Sequence, residues 1–380
     1  MYKKYFKRFL NANEGKLHFA AHSHHYWPDV TRDAQIKYWD DSAKYVDEKW
    51  GLFFSNEFVE LQKNIANVLN ISKPEQITFA PNTHELAYRI LSALPNGAKV
   101  LTTDSEFYSF DRQINRISEE NIFDVTKIEN SNDKNFIDRF IQEANTDKYD
   151  LIFISQVFFN SSFAIKDLIS FVKAINSKAE IVIDAYHAFM ALPTDLKEIE
   201  DRIFYMAGGY KYCGSGEGSC FLISPKNTKL TPKNTGWFAQ MGDLTNFSED
   251  KVPFSNDGFR FAGSTMDFTA IYRMNAVLNL WKNEKVTVHD IHLHVEKNQA
   301  DFLSGIKGTT LENKIVTTAN RGHFIAFIFT TALECEEYAK SLKTKRVNVD
   351  YRRNILRFGF SIYQDSDDII KLIKIIKDIG

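Results

Sequence analysis

The chain has 380 residues, 44% hydrophobic and 25% charged, enough to bury one large core with a smaller appended lobe. Its formal charge of −2 gives no electrostatic reason to expect a nucleic acid or an anionic membrane as partner, and no run of about 18 apolar residues offers a conventional membrane span. Three cysteines cannot build a disulfide framework in so long a chain, so a cytoplasmic setting is expected, and the basic start MYKKYFKRFL lacks the apolar stretch of a secretory signal.

In chain order, the first unusual segment is AAHSHHYWPD, where His22, His24 and His25 offer two ligands on one side of an extended stretch. No clear third ligand accompanies them, so no metal is expected. FFSNEFVELQKNIANVLN (53–70) then spaces Phe54, Phe58, Leu61, Ile65 and Val68 as a helical stripe. Short apolar runs follow: ITFAP (77–81), KVLTTD (99–104), LIFISQV (151–157), EIVIDA (180–185), RIFYMAG (202–208) and CFLIS (220–224). Amphipathic segments such as IKDLISFVKAINSK lie between them. Continuous apolar runs suit strands covered on both faces, so the pattern predicts an α/β fold with a parallel sheet and crossover helices.

From Ser264 the character changes, and the stretch to Ile306 reads as two helices around a short break. HFIAFIFTT, ECEEYAKSLKTKR, VNVDYRRNILRFGFSI and SDDIIKLIKIIKDI suggest a small α+β lobe. The expected division is a large domain over 15–280 and a small one over 281–380, with residues 1–14 packed against the small one.

Ligands of parallel α/β sheets collect beyond the carboxyl ends of the strands. Asp184 closes EIVIDA, and Tyr210 and Lys211 follow RIFYMAGG, so all three are expected at one rim. Gly208, Gly209 and CGSGEG flank the lysine and let backbone approach it closely. A dinucleotide reading fails, because no G-x-G-x-x-G links a strand to a helix and GSGEG comes after the lysine and before a strand. A serine hydrolase has no G-x-S-x-G elbow to support it, and Cys213 and Cys220 read as small buried residues. A strand-end Asp with a later Lys fits pyridoxal 5′-phosphate (PLP): the lysine forms a Schiff base with the aldehyde and the carboxylate pairs with the protonated pyridine nitrogen. FAPNTHELAYRIL supplies Asn82 and Thr83 at a helix start, which suits phosphate, and TTDSEFYSFDRQ supplies Phe107 for ring stacking. VDYRRNILRFGF places Arg352, Arg353 and Arg357 where an arginine fork can hold a carboxylate.

Together these segments resemble the fold type I PLP-dependent enzymes of the class V aminotransferase superfamily, and most of all the kynureninases, over residues 17 to 365 or so. None is specific alone; their order along the chain carries the resemblance. DAYHA implies Asp184 at the pyridine nitrogen with His187 near the ring, and GGYKY implies Lys211 as the Schiff-base lysine with Tyr210 near the phosphate. FISQV implies Ser155 near the ring, and EFYS adds Ser109 to Phe107. GWFAQ implies Trp237 on the phosphate from the partner subunit, and GFRFAGST implies Ser264 and Thr265 closing the phosphate cup across a homodimer. RGHFIAF and VDYRRNILRFGF imply Arg357 as the clamp for the substrate α-carboxylate.

The resemblance therefore implies a mostly parallel central sheet with flanking helices and a small α+β C-terminal lobe. It also implies kynureninase-type hydrolytic Cβ–Cγ cleavage of a small amino-acid substrate, with Lys211, Asp184 and Tyr210 catalytic. AAHSHHYWPD stands where kynureninases carry a Gly-Asn-Ser-Leu-Gly-like segment, so His22 and His24 are read as substrate-facing. The alternatives are aminotransfer, a β-lyase reaction, cysteine desulfuration, or a PLP-fold protein kept for binding alone. Cys335, at the start of a predicted helix rather than on a mobile loop, speaks against desulfuration.

Overall fold

The computed structural model describes residues 2–130, 135–241, 251–317 and 319–380. Its main sheet has the strand order Ile77–Ala80, Cys220–Ile223, Ile203–Gly208, Glu180–Asp184, Leu151–Ser155, Ala98–Thr103, Phe123–Ile128. Cys220–Ile223 is antiparallel to both neighbours, and the pairings from Ile203–Gly208 outward to Phe123–Ile128 are parallel. Leu151–Ser155 and Ile203–Gly208 are buried at every residue, as their uninterrupted apolar runs predict.

Three sequence readings need correction. Phe123–Ile128 is a strand that the apolar runs did not reveal: it lies at the sheet edge, only Phe123 is fully buried, and Asp124, Thr126 and Lys127 break the pattern. The stripe in 53–70 is not one α-helix. A π turn, Phe53–Glu57, joins Lys49–Leu52 to the α-helix Phe58–Leu69, and the five-residue step buries both Phe53 and Phe58. Residues 264–268 are not helical; the helix runs Thr269–Asn283, and the next, Val288–Gly305, starts at a capping box of Thr287 and Asp290.

The C-terminal part holds an antiparallel sheet in the order Asp350–Arg352, Ile355–Gly359, Phe324–Ile328, packed with the helices Ala332–Thr344 and Ser366–Ile379. Phe302, Phe327, Phe358 and Leu372 form part of the core beneath it. The N-terminal segment joins this part: Leu17–His18 pairs in parallel with Val347–Asn348, and Ala20 bridges Gly359. His22 is thereby set against Gly359, where a Cβ would lie 2.3 Å from the imidazole Nδ1, so only glycine admits the ring. Lys3 bridges Asp365 and Asp368 at 2.8 and 2.7 Å. Among the described residues no helix is long and apolar enough to cross a membrane.

Candidate active site

The parallel register places Ser155 beside Asp184, and Asp184 beside Met206, at the carboxyl edge of the sheet. After Asp184 the chain turns, the Tyr186 N–H donates to Asp184 Oδ1 at 2.9 Å, and His187 follows. After Gly208 the chain also turns sharply. A Cβ on Gly209 would lie 1.9 Å from Ser215 Oγ, so a glycine here lets the loop fold back and present Tyr210 and Lys211. Both turns open onto one cavity of about 400 Å³, lined by Asp184, His187, Tyr210, Lys211, Ser155 and Phe107.

Lys211 Nζ lies 2.6 Å from His187 Nε2 and 5.5 Å from the centre of the Phe107 ring. Burial, helped by the charge of Arg357 and opposed by Asp184, pushes the amine down to about 7. Burial likewise holds the His187 imidazole well below its usual range, with Lys211 adding to the effect, so the ring that meets the amine through Nε2 is neutral. Its Nδ1 has no hydrogen-bond partner among the described residues. Burial pushes the Asp184 carboxyl up to about 6, against the pull of the Tyr186 N–H and Lys211.

Two helix starts border the cavity. Asn82 caps the helix Thr83–Ser92 by accepting the Glu85 N–H at 2.9 Å, and Thr83 and His84 line the cavity beside it. Phe107 precedes the helix Tyr108–Glu119, whose Tyr108 and Ser109 also line it. Free N–H groups and the helix dipole favour an anion at both.

Sequence reasoning missed Glu106, buried behind this edge. It accepts from Ser155 Oγ at 2.5 Å and Thr103 Oγ1 at 2.8 Å, and burial pushes its carboxyl up to about 8. The only sequence signal was a charged residue following a strand, which cannot be told from a solvated turn.

The opposite wall comes from the C-terminal sheet and the N-terminal segment. Arg357 Nη1 donates to the Phe159 carbonyl at 2.6 Å and Nη2 to Asp350 Oδ2 at 2.5 Å, while Arg352 Nη1 donates to Asp350 Oδ1 at 3.0 Å. Asp350 was also missed, although a hairpin turning at Arg353 and Asn354 sets it opposite Arg357. Arg353 sits in that turn with φ 52° and is exposed, outside the cavity lining.

The three histidines of AAHSHH diverge. His22 lines the cavity and stacks on Phe324 at 4.8 Å, His24 Nδ1 is hydrogen-bonded to the Tyr210 hydroxyl, and buried His25 donates from Nδ1 to the Tyr26 carbonyl at 2.5 Å. Trp237, Ser264 and Thr265 do not reach the cavity of their own chain. Trp237 is 45% exposed, its Nε1 donates to Thr265 Oγ1 at 3.2 Å, and its segment packs on the Gly263–Ser264 turn.

These residues fit a phosphorylated pyridine aldehyde. An amine pushed to about 7 is partly unprotonated near neutrality and can act as a nucleophile, a buried carboxyl shares its cavity, and two helix starts offer anion sites.

Comparison with known proteins agrees. The family described as Aminotransferase class-V matches residues 28–372. No curated protein sequence matches the chain. A mutant of C-DES with glycine covalently linked to its PLP cofactor shares the fold at a TM-score of 0.83 and 15% identity, over 100% of this chain and 99% of that one. The apo cysteine desulfurase from Thermococcus onnurineus NA1 does so at 0.81 and 15%, over 100% and 98% of the two chains. The cysteine desulfurase CsdA from Escherichia coli, in its S-sulfonic acid form, does so at 0.80 and 12%, over 99% and 97%. The mostly parallel sheet with flanking helices is thus the fold type I architecture. The chain belongs to the class V aminotransferase family, whose cofactor is PLP.

Proposed function

We propose that this PLP-dependent class V enzyme acts on a small amino acid and breaks a side-chain bond at Cβ as a β-lyase. One observation carries the choice within the family: the Tyr210–His24 pair stands at the cavity beside Lys211, whereas all three thiols are buried elsewhere. Burial pushes Cys213 and Cys220 up to about 12 and Cys335 up to about 11. Sulfur transfer to the protein needs an accessible thiolate, and these cysteines are neither accessible nor ionised. The C-DES complex, described as a cystine C–S lyase with its product cysteine persulfide, supports a lyase (14% identity, TM-score 0.83, 97% of this chain and 99% of that one).

Bound PLP supplies an electron sink that stabilises negative charge at the substrate Cα. Lys211 is assigned the covalent link to the cofactor and the movement of the Cα proton at its Nζ. Asp184 would keep the pyridine nitrogen protonated, and His187, Ser155 and Phe107 would contact the ring. Asn82, Thr83 and Ser109 would hold the phosphate. Trp237, Ser264 and Thr265, turned away from their own cavity, are assigned to that of a second copy in a homodimer. Arg357 takes the α-carboxylate and His22 and His24 face the substrate. Tyr210, polarised by His24, moves a proton at the leaving group.

Kynureninase-type hydrolysis is the second reading, and one observation favours it. The Tyr108 and Phe159 rings meet at 5.0 Å and Phe107 and Phe159 at 5.5 Å, an aromatic wall that suits an aryl side chain. The two readings separate by product. Incubating the PLP-loaded protein with cysteine, S-methylcysteine and kynurenine should release pyruvate from a cysteine substrate if it is a β-lyase. Alanine with anthranilate would establish the hydrolase instead, and sulfur left on a protein cysteine would overturn both.

A further inference from the structure

We propose that Asp350 is a specificity-determining residue: it stands in for the substrate carboxylate on Arg357 and moves to His22 when a carboxylate docks. The proposal rests on the reading of Arg357 as the carboxylate clamp. Asp350 and Arg357 are direct partners across the hairpin, joined from Nη2 to Oδ2 at 2.5 Å. The other terminal nitrogen, Nη1, is engaged by the Phe159 carbonyl at 2.6 Å. A guanidinium holds a carboxylate best through two parallel bonds; Nε has no partner among the described residues, so the fork left for a carboxylate is Nε with Nη2, and Asp350 occupies Nη2. A substrate carboxylate therefore gains a two-bond grip through Nε and Nη2 only by displacing Asp350, because two carboxylates side by side in a buried cavity repel one another.

His22 offers the displaced group a place. It is 1% exposed, lines the same cavity, and neither of its ring nitrogens has a hydrogen-bond partner among the described residues. Its Nε2 lies 3.7 Å from Asp350 Oδ2, so a small rotation of the Asp350 side chain converts an unpaired buried imidazole N–H into a donor to that oxygen. Arg352, exposed and bonded to the other Asp350 oxygen at 3.0 Å, can follow the movement. The consequence is a substrate class. One carboxylate can replace Asp350 on Arg357, while a second anionic group at this wall meets Asp350 itself. The cavity therefore favours monocarboxylic amino acids with uncharged side chains over dicarboxylic ones.

The test is calorimetric titration of the PLP-loaded protein with benzoate and with phthalate, unreactive mono- and dicarboxylates, while PLP absorbance verifies that the cofactor site is built. Asp350→Asn, nearly isosteric, is expected to bind benzoate about five- to tenfold more tightly than the wild type, with a larger gain for phthalate. His22→Phe is expected to weaken benzoate binding in the wild type and to have no effect in the Asp350→Asn background. Weaker or unchanged benzoate binding in Asp350→Asn would overturn the stand-in role, and an equal loss from His22→Phe in both backgrounds would overturn the movement to His22. Arg357→Gln is expected to abolish binding. Retained benzoate binding there would instead refute the clamp reading itself, whatever Asp350 does.

Discussion

Lys211 Nζ is held 2.6 Å from a neutral imidazole nitrogen, His187 Nε2, rather than against a carboxylate. That partner shares a hydrogen bond without supplying a full negative charge, so burial prevails and the amine is pushed down to about 7. A lysine in this state is matched to covalent chemistry near neutral pH rather than to an ion pair.

Borohydride reduction of the PLP-loaded protein is expected to leave a pyridoxyl group on the peptide that carries Lys211, identified by mass spectrometry. Lys211→Ala should lose the label and at least ~10³-fold in turnover. A label on any other lysine would refute the assignment.

Two buried groups should make the cofactor-free protein's stability depend on pH in opposite senses. Lys211 is lowered from 10.5 to about 7, so its cost is complete below about pH 7 and disappears as pH rises toward 10.5. Glu106 is raised from 4.5 to about 8, so its cost is absent below pH 4.5 and grows to its full value as pH rises to about 8. Lys211→Met is then expected to raise Tm by roughly 2 °C or more at pH 7 and by progressively less toward pH 10. Glu106→Gln should raise Tm at pH 8 but not at pH 4.5. Thermal melts across this range check both; a gain from Glu106→Gln that is the same at both ends would contradict its assignment.

Removing the Tyr210 hydroxyl is expected to affect proton transfer more than binding. Tyr210→Phe should lower kcat by about 10²-fold with KM changed little, and His24→Gln by a smaller factor with a shifted pH profile. An equal rise in KM with kcat intact would make the pair a binding feature only.

Trp237 bears on assembly. Trp237→Ala is expected to weaken PLP retention and to raise the dimer dissociation constant measured by analytical ultracentrifugation. Mixed dimers of Lys211→Ala with Trp237→Ala chains should regain one intact cavity and part of the activity. Mixtures no more active than either parent would place Trp237 outside the partner's site.

Much of this site was legible in linear order. Asp184, Tyr210 and Lys211 follow apolar runs that had to be parallel strands, and parallel strands deliver their carboxyl ends to one edge, so these residues converge without knowledge of any contact. Asn82, Thr83 and Phe107 were legible for the same reason, each following a strand and opening a helix. The folded chain alone decided the rest. The pairing of Arg357 with Asp350, the burial of Glu106 behind Ser155, and the divergence of His22, His24 and His25 each depend on neighbours brought from distant segments. Sequence determined which groups reach the rim, because backbone direction and periodicity are local properties. Tertiary structure decided their charge states and partners, because desolvation and ion pairing depend on what surrounds a group in space.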